Sequence, residues 1–385
     1  MRISSKKCPF ILTTLLMLGR LYGDYITPEF KKSGETYRYV WQNFYDAEIV
    51  KRGEDNRLQI LAVRSGILQQ KVREEFHFLR KVQGLWHAYQ DGQKKWVSNG
   101  SVLDITSDIL ERFKIHDVPY GTYTENLLTA CSDQSGRLHA IVKLITTDDF
   151  SRRYYYAVRD VSFHWHGMLS IPISDDLIGL CCFYEDGKVH LFGFKELKEG
   201  DSQIVEYEVW FDMKGGQPDL HWSRKQLPES LEAGDFAVFP GKKDTIVFYR
   251  KSIEIVFRSA WRDGESGKWN LSETPFDPCL GETHIGNTIG SLCGFLGADG
   301  LFQVFGIMSW EKTEGVVHFY RDSSKAWKNN GLVLRTPADL VSACPDGQGL
   351  INLIGISEHG QIWHAYRDSH KIWRNNGTIF TENSR

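Results

Sequence analysis

Long apolar segments and an excess of charge of one sign are both missing from this sequence. Beyond residue 18 no stretch approaches the roughly 20 apolar residues that a membrane helix needs, so no membrane span is predicted. The 46 Lys and Arg residues nearly balance the 49 Asp and Glu residues, which gives a formal net charge of −3. This balance indicates neither nucleic acid nor an anionic membrane as a partner.

Signatures of the common enzyme classes are also absent. The sequence contains no G-x-S-x-G, H-E-x-x-H, P-loop or G-x-G-x-x-G motif, and no S-x-D-x-G-x-T-W box of the sialidase propellers. There is no C-x-x-C pair. His164 and His166 flank Trp165 on a strand-like segment, where alternate residues share a face simply because of the pleat. The sequence therefore predicts neither a metal site nor a cofactor.

The N-terminus carries a short apolar run that follows two lysines. The run, Cys8–Leu18, spans about eleven residues, which is too short for a membrane helix and typical of a signal-peptide core. A buried N-terminal strand is the alternative. We predict a signal peptide over residues 1–23 and a single secreted domain over residues 24–385.

Sequons and cysteines fit a secreted glycoprotein. Three N-x-[ST] sequons begin at Asn99, Asn270 and Asn376, each after a strand-like run where a surface turn is expected. An even number of cysteines in an oxidising compartment permits disulfide bonds, although the pairing stays open. Cys181 and Cys182 are adjacent and should point to opposite faces of one strand. The six cysteines after the signal peptide are Cys131, Cys181, Cys182, Cys279, Cys293 and Cys344.

Aromatic residues and glycine are abundant, with 12 Trp, 16 Tyr, 22 Phe and 35 Gly. Aromatic side chains favour strands, and glycine marks tight turns, so the composition indicates many short strands. One pattern recurs along the chain: an aromatic strand ends in Asp, and a Trp follows five residues later. The clearest copies are Trp86–Asp91 followed by Trp96, and Trp363–Asp368 followed by Trp373.

The repeat predicts an all-β fold, a β-propeller of six to seven four-stranded blades. Its aspartates fall at positions 46, 91, 160, 212, 263, 322 and 368, a mean spacing of about 54, which is typical of propeller blades. The first copy lacks the later Trp. We therefore expect a half unit near residues 36–50 that pairs with the C-terminal segment and closes the ring. An array of small β domains is the alternative, but no Pro/Ser-rich linker divides the chain.

The segment Ile362–Asp368, with Trp373 after it, resembles the blade motif of the fungal fucose-specific lectins. That resemblance implies sugar sites between blades, each built from an Arg, a Glu and an aromatic side chain. The sequence departs from this pattern, because Arg precedes the repeated Asp in four units while no Glu keeps a constant offset. Divergent units favour one specialised pocket, at the axis or on one face, over many equivalent sites.

In length, signal peptide, sequons and degenerate blades the sequence also resembles the secreted fungal hetero-Diels–Alderases of tropolone-sesquiterpenoid (meroterpenoid) pathways. That resemblance implies a cofactor-free pericyclase whose partner is a small-molecule substrate, an enone or quinone methide that joins an alkene. An apolar pocket would hold the reactants in a near-attack geometry, and an Arg or Tyr donor would stabilise the carbonyl oxygen. This is the leading functional hypothesis. A glycan-binding lectin and a partner-binding structural propeller are the alternatives.

Four residues are predicted to bind the substrate, and no catalytic residue is assigned. Arg64 and His139 are polar residues within apolar runs, and Tyr184 and Trp310 break the pattern of their surroundings. A purely structural role is the alternative for each of them.

Overall fold

The computed structural model describes residues 25–26, 29–32, 34–53, 56–103, 128–145, 152–175, 177–196, 202–214, 217–225, 227, 235–240, 244–250, 256–272, 276, 288–310, 313–357 and 359–381. Within these ranges the regular structure is entirely β, and the strands form six antiparallel sheets. The predicted signal peptide lies outside the described residues. Across the described ranges no helix has the length and apolar character to cross a membrane.

The six sheets follow one another along the chain as blades 1 to 6. Blade 1 contains β3 (Glu35–Lys51), β4 (Leu58–Val72), β5 (Glu75–Gln90) and β6 (Trp96–Leu103), with β1 (Tyr25–Ile26) and β2 (Phe30–Lys32) paired to β3. Blade 2 contains β7 (Leu128–Ser132), β8 (Leu138–Ile145), β9 (Arg152–Arg159) and β10 (Trp165–Ile171). Blade 3 contains β11 (Leu177–Glu185), β12 (Lys188–Glu196), β13 (Ser202–Lys214) and β14 (Gln217–Lys225). Blade 4 contains β15 (Asp235–Pro240), β16 (Asp244–Arg250), β17 (Phe257–Asp263) and β18 (Trp269–Leu271). Blade 5 contains β19 (Thr288–Leu296), β20 (Phe302–Trp310), β21 (Thr313–Arg321) and β22 (Trp327–Leu334), and blade 6 contains β23 (Leu340–Pro345), β24 (Ile351–Ile356), β25 (Ile362–Arg367) and β26 (Trp373–Phe380).

The first strands of the blades form the inner wall of a closed ring. Each first strand contacts the first strand of the next blade, and β23 of blade 6 contacts β3 of blade 1. Hydrogen bonds cross these boundaries: Leu128 N donates to Asp46 Oδ2 at 2.7 Å, and Ile49 N donates to Ser342 Oγ at 3.1 Å. The prediction of an all-β propeller is confirmed, with six sheets in the described residues.

The predicted half unit is wrong in its pairing. Strand β3 is the innermost strand of blade 1 and pairs with β4, whereas the C-terminal β26 pairs with β25 of its own blade. Asp46 matches the repeat in its local sequence but has a different role. Its carboxylate accepts a hydrogen bond from Leu128 N in blade 2 instead of closing a hairpin. Hydrogen bonds and side-chain packing together close the ring. Phe44 N donates to Gly360 O at 3.2 Å, and Trp86 lies edge-on to Phe44 and Phe380, with ring centroids 4.9 and 4.7 Å apart.

The core is divided among the six boundaries between blades, and each boundary has its own apolar cluster. The repeated Trp at the start of a fourth strand packs onto the preceding blade. Trp327 lies 4.3 Å from Phe248, and Trp373 lies 5.9 Å from Phe305, centroid to centroid. The repeated aromatic residues therefore hold neighbouring blades together.

The repeated Asp closes the hairpin between the third and fourth strands. Asp91 Oδ1 accepts hydrogen bonds from the backbone N–H groups of Gln93 and Lys95 at 2.8 and 2.9 Å. Asp322 and Asp368 do the same in blades 5 and 6. Asp is suited to this task because its side chain satisfies backbone donors that a tight turn leaves open. The strongest repeat signal in the sequence is therefore a turn signal.

Candidate functional site between the third and fourth blades

The structure separates the four residues that the sequence singled out. Arg64 is fully buried on β4 in blade 1, and Trp310 ends β20 in blade 5, where it pairs with Thr313 across the hairpin. His139 and Tyr184 do meet, at the boundary of blades 2 and 3. Their rings stack with centroids 4.9 Å apart and planes 20° apart. A binding role for the four residues stays a prediction.

His139 is enclosed by polar and aromatic neighbours. Its Nδ1 lies 2.5 Å from the Tyr156 hydroxyl, its Nε2 lies 3.6 Å from Asp133 Oδ2, and Phe211 packs against the same ring. Burial lowers the pKa of His139, so the neutral form is favoured. These contacts account for this histidine as part of the packing between the two blades.

Three blades share a polar triad, in which a buried histidine bonds to a buried amide side chain and to an exposed asparagine. In blade 1, His87 Nε2 lies 2.8 Å from Gln59 Oε1, and Asn99 Nδ2 donates to His87 Nδ1 at 2.8 Å. Burial, reinforced by Arg159, lowers the pKa of His87 to about 3, so the ring is neutral and both nitrogens are engaged. The same arrangement recurs as Gln303, His318 and Asn330 in blade 5 and as Asn352, His364 and Asn376 in blade 6.

Two of the three sequons belong to these triads. Asn99 and Asn376 each precede a glycine at a positive φ, Gly100 at 71° and Gly377 at 69°. Asn330 precedes Gly331 in the same conformation, at 72°, but has no Ser or Thr two residues later. The Asn-Gly pair is thus part of the scaffold, while Asn270 lies exposed on β18. Glycosylation of the three asparagines stays a prediction.

Blade 3 replaces the neutral triad with a charged one. Glu208 stands four residues before Asp212, as His87 stands before Asp91. Lys188 Nζ donates to Glu208 Oε2 at 2.8 Å, and Lys225 Nζ lies 2.9 Å from Glu208 Oε1. Burial opposes ionisation of Glu208, but the hydrogen bonds from the two lysines prevail and lower its pKa to about 2.

Blade 3 also carries two ionisable residues, Glu206 and His190, where the other blades carry aliphatic or aromatic side chains. Glu206 on β13 and His190 on β12 are 0% and 6% exposed. Glu206 stands six residues before the repeated Asp212. His190 pairs across the two strands with Glu208, which stands four residues before that Asp. The residues at the Glu206 position of the other blades are Leu85, Tyr154, Phe257, Val316 and Ile362, and those at the His190 position are Leu61, Ile141, Phe248, Phe305 and Ile354, all buried.

An arginine from blade 4 completes this cluster. Arg262 Nη1 donates to Glu206 Oε1 and Oε2 at 2.9 and 2.8 Å, and Arg262 Nη2 donates to Thr245 Oγ1 at 3.1 Å. His190 Nδ1 lies 2.8 Å from Glu206 Oε1. Because a carboxylate only accepts, Nδ1 of His190 carries a proton and donates it to Glu206.

The cluster forms the floor of a cleft between blades 3 and 4, with a volume of about 640 Å³. Trp269 supplies an aromatic wall, and the Arg262 guanidinium lies 5.7 Å from its ring centroid. A smaller cleft of about 250 Å³ lies between blades 5 and 6, where Arg367 and Gln303 take part in the lining. The larger cleft brings together a guanidinium, carboxylates and an indole, groups that can hydrogen-bond and stack on a polar ring.

Sequence reasoning identified Arg262 as one of the arginines before the repeated Asp but missed Glu206, His190 and Trp269 as a site. A signal for Glu206 was present, since it is the only charged residue at its offset from the repeated Asp. His190 had no such signal, because only the pairing of β12 with β13 places it beside Glu206.

A second polar cluster lies among the inner strands. Glu48 on β3 accepts a short hydrogen bond from the Ser342 hydroxyl on β23. Burial, opposed by the Ser342 bond and aided by Asp46, raises the pKa of Glu48 to about 8. Burial also raises the pKa of the Cys181 and Cys293 thiols, and both interact electrostatically with Glu48.

The cysteines described in the structure are free thiols. Cys181 packs toward blade 4 and Cys182 toward blade 2, as strand alternation predicts. The predicted disulfide bonds are not found among these residues, and Cys279 lies outside them. In the described ranges, no three His, Cys, Asp or Glu side chains are grouped in a way that could hold a metal ion.

The fold is a β-propeller, and it is similar to that of fungal lectins. The chain is similar to the fucose-specific lectin of Aleuria aurantia, a six-bladed propeller, with a TM-score of 0.55, 12% identity and coverage of 89% of this chain and 98% of the lectin. A variant of that lectin in complex with Fucα1-6GlcNAc gives a TM-score of 0.54 at 12% identity, covering 90% and 98% of the two chains.

A third similar structure is AofleA from Arthrobotrys oligospora, with a TM-score of 0.53, 9% identity and coverage of 91% of this chain and 92% of AofleA. At these identities the likeness establishes the fold alone. No protein-family model matches the sequence. No curated protein matches it either.

Proposed function

We propose that this protein binds a carbohydrate in the cleft between blades 3 and 4. The observation that carries the proposal is the meeting of Glu206, Arg262 and Trp269 at that boundary. Guanidinium and carboxylate groups hydrogen-bond to hydroxyls, and an indole face packs against the C–H face of a sugar ring. The fold neighbour from Aleuria aurantia, in complex with a fucosylated disaccharide, supports a glycan as the ligand class.

The other boundaries favour a single principal site. Between blades 1 and 2, Arg159 Nη1 lies against the two buried members of the blade 1 triad, 3.4 Å from Gln59 Oε1 and 3.3 Å from His87 Nε2. Between blades 2 and 3 the arginine position is taken by Phe211, which packs on His139. A protein with one main site gains no avidity from repeated equivalent sites. We therefore expect the highest-affinity site to bind one glycan per chain.

The test is a glycan-array screen of the purified protein, followed by calorimetric titration of the best ligand. Arg262→Ala and Trp269→Ala should each weaken binding at least about tenfold, the equivalent of 1.4 kcal/mol. Arg321→Ala is the matched control, because Arg321 holds the same repeat position in blade 5 and bonds to its own turn at Lys325 O. Absence of glycan binding, or equal losses in Arg262→Ala and Arg321→Ala, would contradict the proposal.

The polar cluster around Glu48 and Ser342 on the inner strands favours a second candidate function, the pericyclase. Because the pKa of Glu48 is about 8, its carboxyl is largely protonated at neutral pH. A protonated carboxyl can donate a hydrogen bond to a carbonyl oxygen on which electron density builds, without adding a charge to the site. An enone or quinone methide joining an alkene fits that donor.

This second candidate is tested by supplying a quinone methide generated in solution together with an alkene. The protein should accelerate cycloadduct formation and give one enantiomer in excess over the spontaneous reaction. Glu48→Leu should abolish both effects, while Glu206→Leu should leave them unchanged. A racemic product formed at the spontaneous rate removes the candidate and leaves glycan binding or a partner-binding propeller.

We also propose that the protein is secreted and glycosylated. The short apolar run after two lysines and the three sequons support this. Expression in a eukaryotic secretory host should yield protein in the medium that starts near residue 24. Endoglycosidase treatment should reduce its mass. Retention inside the cells with an intact N-terminus would contradict the proposal.

A further inference from the structure

The three polar triads differ in what meets their buried amide. In blade 1, Arg159 Nη1 lies against the amide, 3.4 Å from Gln59 Oε1. In blade 6, Asn352 Nδ2 donates to Leu350 O of its own blade at 3.1 Å. In blade 5, Gln303 lines the cleft of about 250 Å³ between blades 5 and 6. A ligand in that cleft can therefore reach the Gln303 side chain directly.

The direction of the hydrogen bonds in blade 5 makes the free end of this amide a donor. Asn330 Nδ2 donates to His318 Nδ1 at 2.9 Å, so the ring carries its proton on Nε2. Burial, aided by Arg367, lowers the pKa of His318 to about 3, which keeps the ring neutral. His318 Nε2 donates to Gln303 Oε1 at 2.7 Å. The Gln303 carbonyl is thus engaged inside the blade, and its NH₂ group is left for the cleft.

Arg367 on β25 brings further donors from the blade 6 side. Its Nε donates to Lys371 O at 3.3 Å, while its Nη1 and Nη2 make no hydrogen bond or ion pair within the part of the chain that the structure describes. Arg159 holds the same repeat position in blade 2 and is turned onto Gln59. Arg367 is turned to its own hairpin instead, and the cleft beside Gln303 stays open.

The two carboxylates in the lining are already engaged. Asp368 accepts hydrogen bonds from the backbone of its own turn through Oδ1 and from Arg374 Nε, at 3.1 Å, through Oδ2. Asp299 Oδ1 accepts a backbone N–H of its own turn at 3.1 Å. Arg367 and Lys371 balance these two charges, so the formal charge of the lining is zero. The cleft therefore offers a ligand a guanidinium and an amide without an excess of negative charge.

Convergent donors of this kind match a carboxylate. A guanidinium presents parallel N–H groups that fit the two oxygens of a carboxylate, and the amide adds a donor from the facing blade. A carboxylate only accepts, so it satisfies these donors and brings none of its own, whereas an ammonium group would place donors against donors. A volume of about 250 Å³ is below that of pockets for drug-sized molecules, which favours a small ligand.

We infer that the cleft between blades 5 and 6 is a second binding site, which takes the carboxylate of a small organic acid or of an acidic sugar. Arg367 Nη1 and Nη2 donate to the carboxylate oxygens, and the Gln303 amide donates to one of them from blade 5. The inference goes beyond the proposed function and does not depend on the cleft between blades 3 and 4.

The test titrates the full chain by calorimetry with two acids and their uncharged amides, D-glucuronate with D-glucuronamide and lactate with lactamide. At least one acid should bind, and at least about tenfold more tightly than its own amide. Tighter binding of lactate identifies a free organic acid as the source of the carboxylate, and tighter binding of glucuronate identifies an acidic sugar. Equal binding of acid and amide, or no binding of either acid, overturns the inference.

Variants locate the carboxylate in this cleft. Gln303→Glu keeps an acceptor for His318 Nε2 but replaces the donor that faces the cleft, and Arg367→Ala removes the guanidinium. Each should weaken binding of the acid at least about tenfold. Arg321→Ala is the matched control from blade 5 and should leave it unchanged. Arg367 is partly exposed, so its variant keeps the test decisive if Gln303→Glu does not fold. Acid binding that survives in Arg367→Ala but is lost in Arg262→Ala would overturn the inference.

Discussion

Glu206 of blade 3 and Arg262 of blade 4 are joined across the blade boundary by two hydrogen bonds of 2.9 and 2.8 Å. The carboxylate is fully buried, at a position where every other blade carries an uncharged side chain. A buried ion pair contributes little net stability compared with a well-packed apolar pair, because desolvation offsets the attraction. Stability therefore does not explain why blade 3 differs from the other blades at this position. Ligand binding would explain it.

The first prediction concerns the stability of this cluster. Glu206→Ala leaves Arg262 and His190 without their partner and should lower the free energy of unfolding by about 3 kcal/mol. The double variant Glu206→Val/His190→Phe, which copies Val316 and Phe305 of blade 5, should recover part of that loss, because it removes the unpartnered His190 and fills the space but still leaves Arg262 without Glu206. Urea unfolding of the three proteins measures both effects.

Glycan binding should be lost in both variants, including the stable one. A double variant that is as unstable as Glu206→Ala would show that blade 3 cannot accept the apolar pair of blade 5. A double variant that binds glycan normally would contradict the site.

The second prediction concerns acid. Burial lowers the pKa of His87 and His318 to about 3 and that of His364 to about 4, so the folded protein keeps them neutral. When the pH is below the ordinary pKa of histidine, these three side chains are protonated in the unfolded chain but remain neutral in the folded chain. Stability therefore falls as the pH drops, by up to about 2 kcal/mol per histidine at pH 5.

Urea unfolding at pH 7.5 and pH 5 checks this loss. Replacing the three histidines by glutamine should flatten the dependence, and the single variant His364→Gln should reduce it by about a third if the triple variant does not fold. An unchanged slope in His364→Gln would refute the assignment.

The third prediction concerns alkali. The pKa of Glu48 is raised from its ordinary value to about 8, so the unfolded chain releases this proton at lower pH than the folded chain. The stabilisation that protonated Glu48 gives the folded protein falls as the pH rises above about 5 and is fully lost above pH 8. The free energy of unfolding should change by something on the order of 3 to 5 kcal/mol over this range. Glu48→Gln should remove it. Thermal unfolding midpoints of both proteins from pH 5 to pH 9 measure the difference, and parallel curves would contradict the prediction.

The fourth prediction tests the scaffold. Gly331 has a φ of 72° at the bulge between β21 and β22, and the space that a Cβ atom would occupy there is open. Gly331→Ala should therefore destabilise through backbone strain alone, by roughly 1 to 2 kcal/mol. Gly92→Ala, in a turn with open space and no positive φ, is the matched control and should change stability little. Equal effects of the two substitutions would show that strain is not the cause.

The blades could be predicted from the sequence because the repeat signal is local. Asp91 and Asp368 each end a third strand and close a tight hairpin, and such turns depend on a few neighbouring residues. Asp46 misled the blade assignment for the same reason, since a local pattern cannot show that its carboxylate reaches Leu128 N in the next blade.

The site could not be predicted as fully, because it depends on contacts between blades. His190 and Glu206 come together only through the register of β12 and β13, and Arg262 approaches only once blade 4 is docked. His139 and Tyr184 do meet, and their rings stack at the boundary of blades 2 and 3. A polar residue in an apolar run indicates burial with a partner, and it does not say whether that partner serves packing or binding.

The most direct measurement is a crystal structure of the protein soaked with its tightest-binding oligosaccharide. Electron density for a sugar ring should lie in the cleft between blades 3 and 4, against Trp269 and within hydrogen-bond distance of Arg262 and His190. Density only at other blade boundaries or on the ring axis, with this cleft filled by solvent, would contradict the account.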